Sequence, residues 1–171
     1  MREIFEARRG IDPHKMSGFA IDFSDTLILL HQFDWDCFRL NGYTVIRDGD
    51  ITRYRFLGRR GTWQSRALRH FRITPTRPGA ISVASWRELI ATVSRRYPLL
   101  TIHREGINPD VCYIGTVAAL TERAATIKTL DCTGHWAGRR RFRLVHITRV
   151  DFGGRYEQAL ALTAPKRHSK K

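Results

Sequence analysis

The stretches Gly18-Phe-Ala-Ile-Asp-Phe-Ser-Asp-Thr-Leu-Ile-Leu-Leu-His-Gln-Phe-Asp34 and Gly115-Thr-Val-Ala-Ala-Leu-Thr-Glu-Arg-Ala-Ala-Thr-Ile-Lys-Thr-Leu-Asp131 align without a gap at an offset of 97. Phe23 falls on Leu120, Leu30 on Ile127 and Phe33 on Leu130, while the polar pair Ser24-Asp25 falls on Thr121-Glu122. The flanking blocks match as well, at an offset of 96: Gly10-Ile-Asp-Pro13 returns as Gly106-Ile-Asn-Pro109, and Ile51-Thr-Arg-Tyr-Arg-Phe-Leu-Gly58 as Ile147-Thr-Arg-Val-Asp-Phe-Gly-Gly154. Matched blocks in one order read as two copies of one unit, running roughly from Arg2 to Gly58 and from Leu99 to Gly154. A repeat of this kind decides the architecture before any single element does.

Each copy reads as short strands. Glu3–Arg8 and Leu100–Arg104 alternate in polarity ahead of a Gly-Ile-Asp/Asn-Pro turn; Gly18–Phe23 and Gly115–Leu120 read as second strands; Leu27–Phe33 and Ala124–Leu130 read as third strands. Asn41-Gly42 is a hairpin signal. Tyr43–Arg47 and Ile51–Phe56 are two short strands or one strand kinked at Asp48-Gly49, and Arg141–Phe152 changes phase near His146. Five short strands in so few residues predict a small barrel, and a unit of that size must dock on its twin to bury enough surface.

Between the copies, Ser85-Trp-Arg-Glu88 is a capping box, and Trp86, Leu89, Ile90, Val93 and Tyr97 follow helical spacing up to Pro98, predicting a helix over about 86–97. Arg59–Phe71 reads as a short basic helix and Ile73–Gly79 as a linker. Tyr156–Thr163 is ambiguous between strand and helix. The organisation is therefore a first barrel over 1–58, a basic linker with connector helix over 59–98, a second barrel over 99–164 and a disordered basic tail over 165–171.

The run Gly18 to Leu30, and its counterpart Gly115 to Ile127, resembles the first motif of the Sm-like barrels, and Val45-Ile-Arg-Asp-Gly-Asp-Ile51 loosely resembles the second. The resemblance implies a mainly β fold of two tandem Sm-like (SH3-like) barrels and, by analogy with ring-forming Sm-like proteins, a pseudo-symmetric assembly. The family's RNA-contacting Asn is replaced by Ile28 and Ala125, its turn Asp is displaced by one position, and its Arg-Gly pair is absent from the second copy. The resemblance thus implies the fold without an RNA pocket.

Charge gives the functional lean. The chain of 171 residues carries a net +14, unevenly placed. Residues 1–58 balance at −1, residues 59–85 hold six Arg and no acid, and residues 86–171 carry +9. The excess lies in Arg59, Arg60, Arg66 and Arg69, in Arg139, Arg140, Arg141 and Arg143 beside Trp136, and in the tail. Basic clusters interleaved with aromatics suit a single-stranded polyanion, with Arg on phosphates and rings on bases. These nine residues are the expected nucleic-acid interface, RNA favoured; a protein-interaction or scaffolding module forming a homo-oligomer is the alternative.

Other chemistry is sparse. Cys37, Cys112 and Cys132 fit no disulfide framework and read as reduced, partly buried thiols, while Cys132-Thr-Gly-His135 is half a metal site. Asp34 and Asp36 read as solvated acids, and His31 and His103 as structural residues. Arg53 and Arg149, matched in the repeat, are expected to pair with carboxylates at the ends of each unit. Neither Gly58-Arg-Arg-Gly61 nor Gly153-Gly154 is followed by the Lys-Ser/Thr of a phosphate loop. No enzyme, cofactor or metal is expected. No apolar run is long enough to span a bilayer and no signal peptide is read at the N-terminus, so a cytoplasmic protein is expected.

Overall fold

In a computed structural model, which describes residues 3–164, the alternating segments form one antiparallel sheet of ten strands. The order along the chain is β1 (Ile4–Arg9), β2 (Asp12–Phe23), β3 (Leu27–Asp34), β4 (Arg39–Arg47), a 3-10 turn at Asp48–Asp50, and β5 (Ile51–Leu57). Two helices follow, α1 (Trp63–His70) and α2 (Trp86–Ser94). Then come β6 (Leu100–Arg104), β7 (Asn108–Leu120), β8 (Ala124–Leu130), β9 (Trp136–Arg143), a 3-10 turn at Leu144–His146, β10 (Arg149–Phe152) and α3 (Arg155–Thr163). Across the sheet the strands lie β5-β1-β2-β3-β4-β10-β6-β7-β8-β9. The first five and the last five thus follow one order, and each fifth strand is preceded by a 3-10 turn.

Several expectations change in detail. β2 and β7 begin at Asp12 and Asn108, because the Gly-Ile turn is tighter than the Gly-Ile-Asp/Asn-Pro reading assumed. Asn41-Gly42 makes no hairpin. It lies inside β4, where Gly42 has φ +72° and a Cβ there would collide with the backbone of Gly154. The chain reverses instead at residues 35–38, where the Asp34 carboxylate accepts the Cys37 amide at 2.9 Å. Only half of the capping box forms: the Ser85 hydroxyl accepts the Glu88 amide, and the Glu88 carboxylate takes the Ser82 hydroxyl at 2.8 Å. α2 ends at Ser94, three residues short of the expected 97. The ambiguous segment after Gly154 is helical, and the three thiols are exposed rather than partly buried. The expected tail over 165–171 lies outside the described residues.

The main core crosses the centre of the sheet. Ile4, Phe19, Leu29 and Val45 from the first half meet Leu100, Ile102, Ile127 and Phe152 from the second, and α2 adds Leu89, Ile90 and Val93 while lying against β7 and β8. The joint is the pairing of β4 with β10, which sets Tyr43 on Phe152, Thr44 on Asp151, Val45 on Val150 and Ile46 on Arg149. Tyr43 stacks on Phe152 at 5.5 Å.

One edge of this joint is ionic. The buried Arg9 guanidinium donates to both oxygens of Glu105, at 2.9 and 2.7 Å, and to Asp12 at 2.6 Å. Arg149 forks onto Asp151 at 2.9–3.1 Å and reaches Glu105 at 3.4 Å. The Thr148 hydroxyl donates to Glu105, the Thr44 hydroxyl donates to Asp151, and the His103 ring lies 2.9 Å from Asp151. Burial alone would raise the pKa of Glu105, but hydrogen bonds from Arg9 and Thr148 and the charges of Arg9 and Arg149 hold it low. Burial acts likewise on Asp151 and is outweighed by Arg149, His103 and Thr44, so its carboxyl stays well below the usual range.

The pairing expected for both repeated arginines is met by Arg149, whereas Arg53 is exposed on β5. Removing one partner of a buried pair strands the other, so Arg149→Gln should lower stability by about 3 kcal/mol in urea denaturation at neutral pH. Arg53→Gln should shift it by no more than about 0.5 kcal/mol. Because both carboxyls have depressed folded pKa values, their contribution is complete above the unfolded values of about 4 and is lost as pH falls from there towards the folded values. The wild-type urea midpoint should therefore drop steeply with acid, and Arg149→Gln should flatten that drop.

Candidate nucleic-acid interface

β8 and β9 run antiparallel at one edge of the sheet, and their register decides which basic side chains share a surface. Ala124 pairs with Arg143, Thr126 with Arg141, and Lys128 with Arg139. Directly opposed residues point to the same face and alternate residues to the other. Arg139, Arg141, Arg143 and Lys128 therefore lie on one face, and the three arginines are exposed. A register shift between Thr129 and Leu130 brings Trp136 opposite Leu130 on this same face. The Lys128 ammonium sits 4.2 Å from the centre of the Trp136 ring, a cation–π contact.

Arg140 points the other way, alongside buried Phe142 and Ile127. Its guanidinium lies 5.4 Å from the ring centre of Tyr113, which Arg104 approaches at 5.3 Å. The arginine run is thus divided between the faces of one strand. Lys128, Tyr113 and Arg104 complete the two groups and were missed by sequence reasoning. Lys128 is a lone cation in an apolar strand, and only the β8–β9 register shows that it extends the arginine row.

The other expected residues are elsewhere. Arg59 and Arg60 in the turn after β5, with Arg69 from α1, line a cleft of about 460 Å³ beside Glu3 and Gly58. Arg66 donates to the Gly61 carbonyl at 3.0 Å. Thr62 caps α1, its hydroxyl accepting the Ser65 amide. The helix leaves Trp63 and Phe71 more than half exposed, against Trp35 at 6.3 Å and Phe38 at 5.2 Å. α1 follows edge strand β5, and eight strands separate β5 from β9 in the sheet. The nine residues form two groups on opposite edge elements.

The remaining candidates have structural surroundings. His31 accepts the Thr76 amide at 3.1 Å and stacks on Tyr43 at 4.4 Å, and burial lowers its pKa. Asp131 accepts the amides of Thr133 and His135, so Cys132-Thr-Gly-His135 is a carboxylate-capped turn. Among the described residues no group of three or more His, Cys, Asp or Glu is placed to hold a metal. A cleft of about 430 Å³ at the joint is lined by residues including Asp12, His103, Glu105, Cys112 and Arg149. Cys112 lies opposite His103 in the β6–β7 register; although the residue is exposed, partial desolvation at its thiol and then the Asp151 charge raise its pKa, which disfavours the thiolate. No helix among the described residues is long and apolar enough to cross a membrane.

Since Arg139, Arg141 and Arg143 are exposed, they should be dispensable for folding. Replacing all three by Gln should change the urea midpoint by the equivalent of no more than about 0.5 kcal/mol per site, which separates any effect on binding from an effect on stability. Comparison with protein-family models, with curated proteins and with solved structures returns no match.

Proposed function

We propose that this chain binds single-stranded nucleic acid, RNA in preference to duplex DNA, on the β8–β9 face, without itself catalysing a reaction. The observation that carries the reading is the row Arg139, Arg141 and Arg143 beside Lys128, ending on the Trp136 ring. Side chains two residues apart on a strand are spaced by about 7 Å, a scale suited to successive phosphates of an extended backbone. The half-buried indole sets an aromatic ring at the end of the row, packed against the Leu130 cluster and under Lys128, which matches the mixture of rings and cations found on single-strand binding surfaces. The arginines of the row stand on a strand and not on a helix that could enter a major groove, which favours an unpaired strand over a duplex.

On this reading each half is an Sm-like barrel and the chain an internal duplication, working in the cytoplasm. Three features support the duplicated architecture: the common strand order, the 3-10 turn before each fifth strand, and the matched glycines Gly18 and Gly115. A Cβ at Gly18 would collide with the His31 carbonyl, and one at Gly115 with the Lys128 carbonyl, in β3 and β8 respectively. The rival reading, a scaffolding module that forms homo-oligomers, draws on free strand β5, where Tyr54 and Phe56 are more than half exposed.

The test is fluorescence anisotropy with a labelled mixed-sequence single-stranded RNA across a salt series. Affinity should fall with salt, and the Arg139→Gln/Arg141→Gln/Arg143→Gln variant should reduce the log–log slope by about 2, since each phosphate contact on a single strand contributes about 0.7. Binding that is absent at low salt, indifferent to salt, or unchanged in the variant would overturn the reading.

A further inference from the structure

The β4–β10 joint raises the question of what a second copy of the chain would meet at the two free edges. β5 stands in its half where β10 stands in the other, and β9 where β4 stands. The correspondence extends to residues. Arg53 and Arg55 match Arg149 and Asp151 at the offset of 96. Thr44 faces Leu30, and Arg140 faces Ile127, the counterpart of Leu30, so Arg140 occupies the place of Thr44.

Repeating the joint between two copies would therefore set Arg55 of one against Arg140 of the other, where the internal joint has Asp151 against Thr44. Arg53 would take the place of Arg149 without its acids. The counterpart of Asp12 is Asn108, and the counterpart of Glu105 is Arg9, which is already bound to Glu105 within the chain. Glu6 already accepts from Arg55 at 2.7 Å and lies 3.5 Å from Lys15. The internal joint combines Arg9 and Arg149 with Asp12, Glu105 and Asp151; its copy would assemble Arg9, Arg53, Arg55 and Arg140 with one acid, the Glu105 that stands in the place of Arg9 and is already bound to Arg9 of its own chain. Like charges brought together out of water are strongly unfavourable, and charged edge strands are a known way to prevent sheet growth.

We propose that Arg53 and Arg55 on β5, with Arg140 on β9, form a charge barrier that stops a second copy from extending the sheet head to tail. The ten strands of one chain are then the complete unit. A repeated head-to-tail contact would otherwise build rings or fibres. The barrier is built into the β4–β10 frame and does not depend on the nucleic-acid reading.

Sedimentation velocity at tens of micromolar protein, with no nucleic acid present, tests it. The wild type should be a monomer, and added salt should if anything increase its association by screening the repulsion. Asn108→Asp/Arg140→Asp restores an acid at the place of Asp12 and sets one against Arg55, so it should at least double the mass. Adding Arg55→Asp to that variant opposes acid to acid and should return the monomer. The proposal is overturned if the wild type is already an oligomer that Arg140→Asp dissolves, if Asn108→Asp/Arg140→Asp stays monomeric, or if the added Arg55→Asp leaves its assembly intact.

Discussion

The buried contact between Arg9 and Glu105 is the interaction on which the rest depends. The two residues lie 96 apart, the offset at which the sequence blocks Gly10–Pro13 and Gly106–Pro109 match, and they carry opposite charges. A pair of identical side chains there would bury two like charges or leave both unpaired. The opposite charges of the two halves at this position allow the joint to close. Asp12, Arg149, Asp151 and the hydroxyls of Thr44 and Thr148 surround the pair with further charge-assisted contacts, while the buried Arg9 Nε makes no hydrogen bond among the described residues. A buried ionic cluster adds little net stability compared with an apolar one. Its complementary charges favour the pairing of β4 with β10 seen here.

That pairing decides what the solvent sees. With β4 and β10 joined, the sheet ends in β5 and β9. Edge strands expose unpaired backbone groups and invite association unless something blunts them. β9 carries four arginines and β5 two, so both edges repel a further copy while remaining attractive to a polyanion. One property, exposed positive charge on free edges, thus disfavours one class of partner and favours another.

The strands were legible because their turns and tight glycines recur. Gly18 and Gly115 each permit the close approach of the neighbouring strand; the third strands were placed within a residue of β3 and β8, while β2 and β7 begin six and seven residues before the expected starts at Gly18 and Gly115. Asn41-Gly42 was misread because its glycine answers to the Gly154 backbone, far along the chain, and not to a local turn. The ionic joint was hidden for the same reason: Glu105 follows a strand and precedes a turn, and nothing local marks its partner. Of the candidate site, the residue types were legible and their grouping was not. Arg139 to Arg143 form one run in the sequence, yet strand alternation sends Arg140 to the opposite face, while Lys128 joins the row from β8. Arg59 to Arg69 have the same composition but belong to the opposite edge of the sheet.

Native-state hydrogen exchange at the joint tests most directly whether the two halves form one unit. The amides bonded between β4 and β10 should exchange with the same opening free energy as the central strands β2 and β7, because separating the joint exposes buried charges together with Val45, Val150 and Phe152. Joint amides that exchange through a smaller, separate opening, while each half stays protected, would contradict this account. They would show two independent units resting side by side.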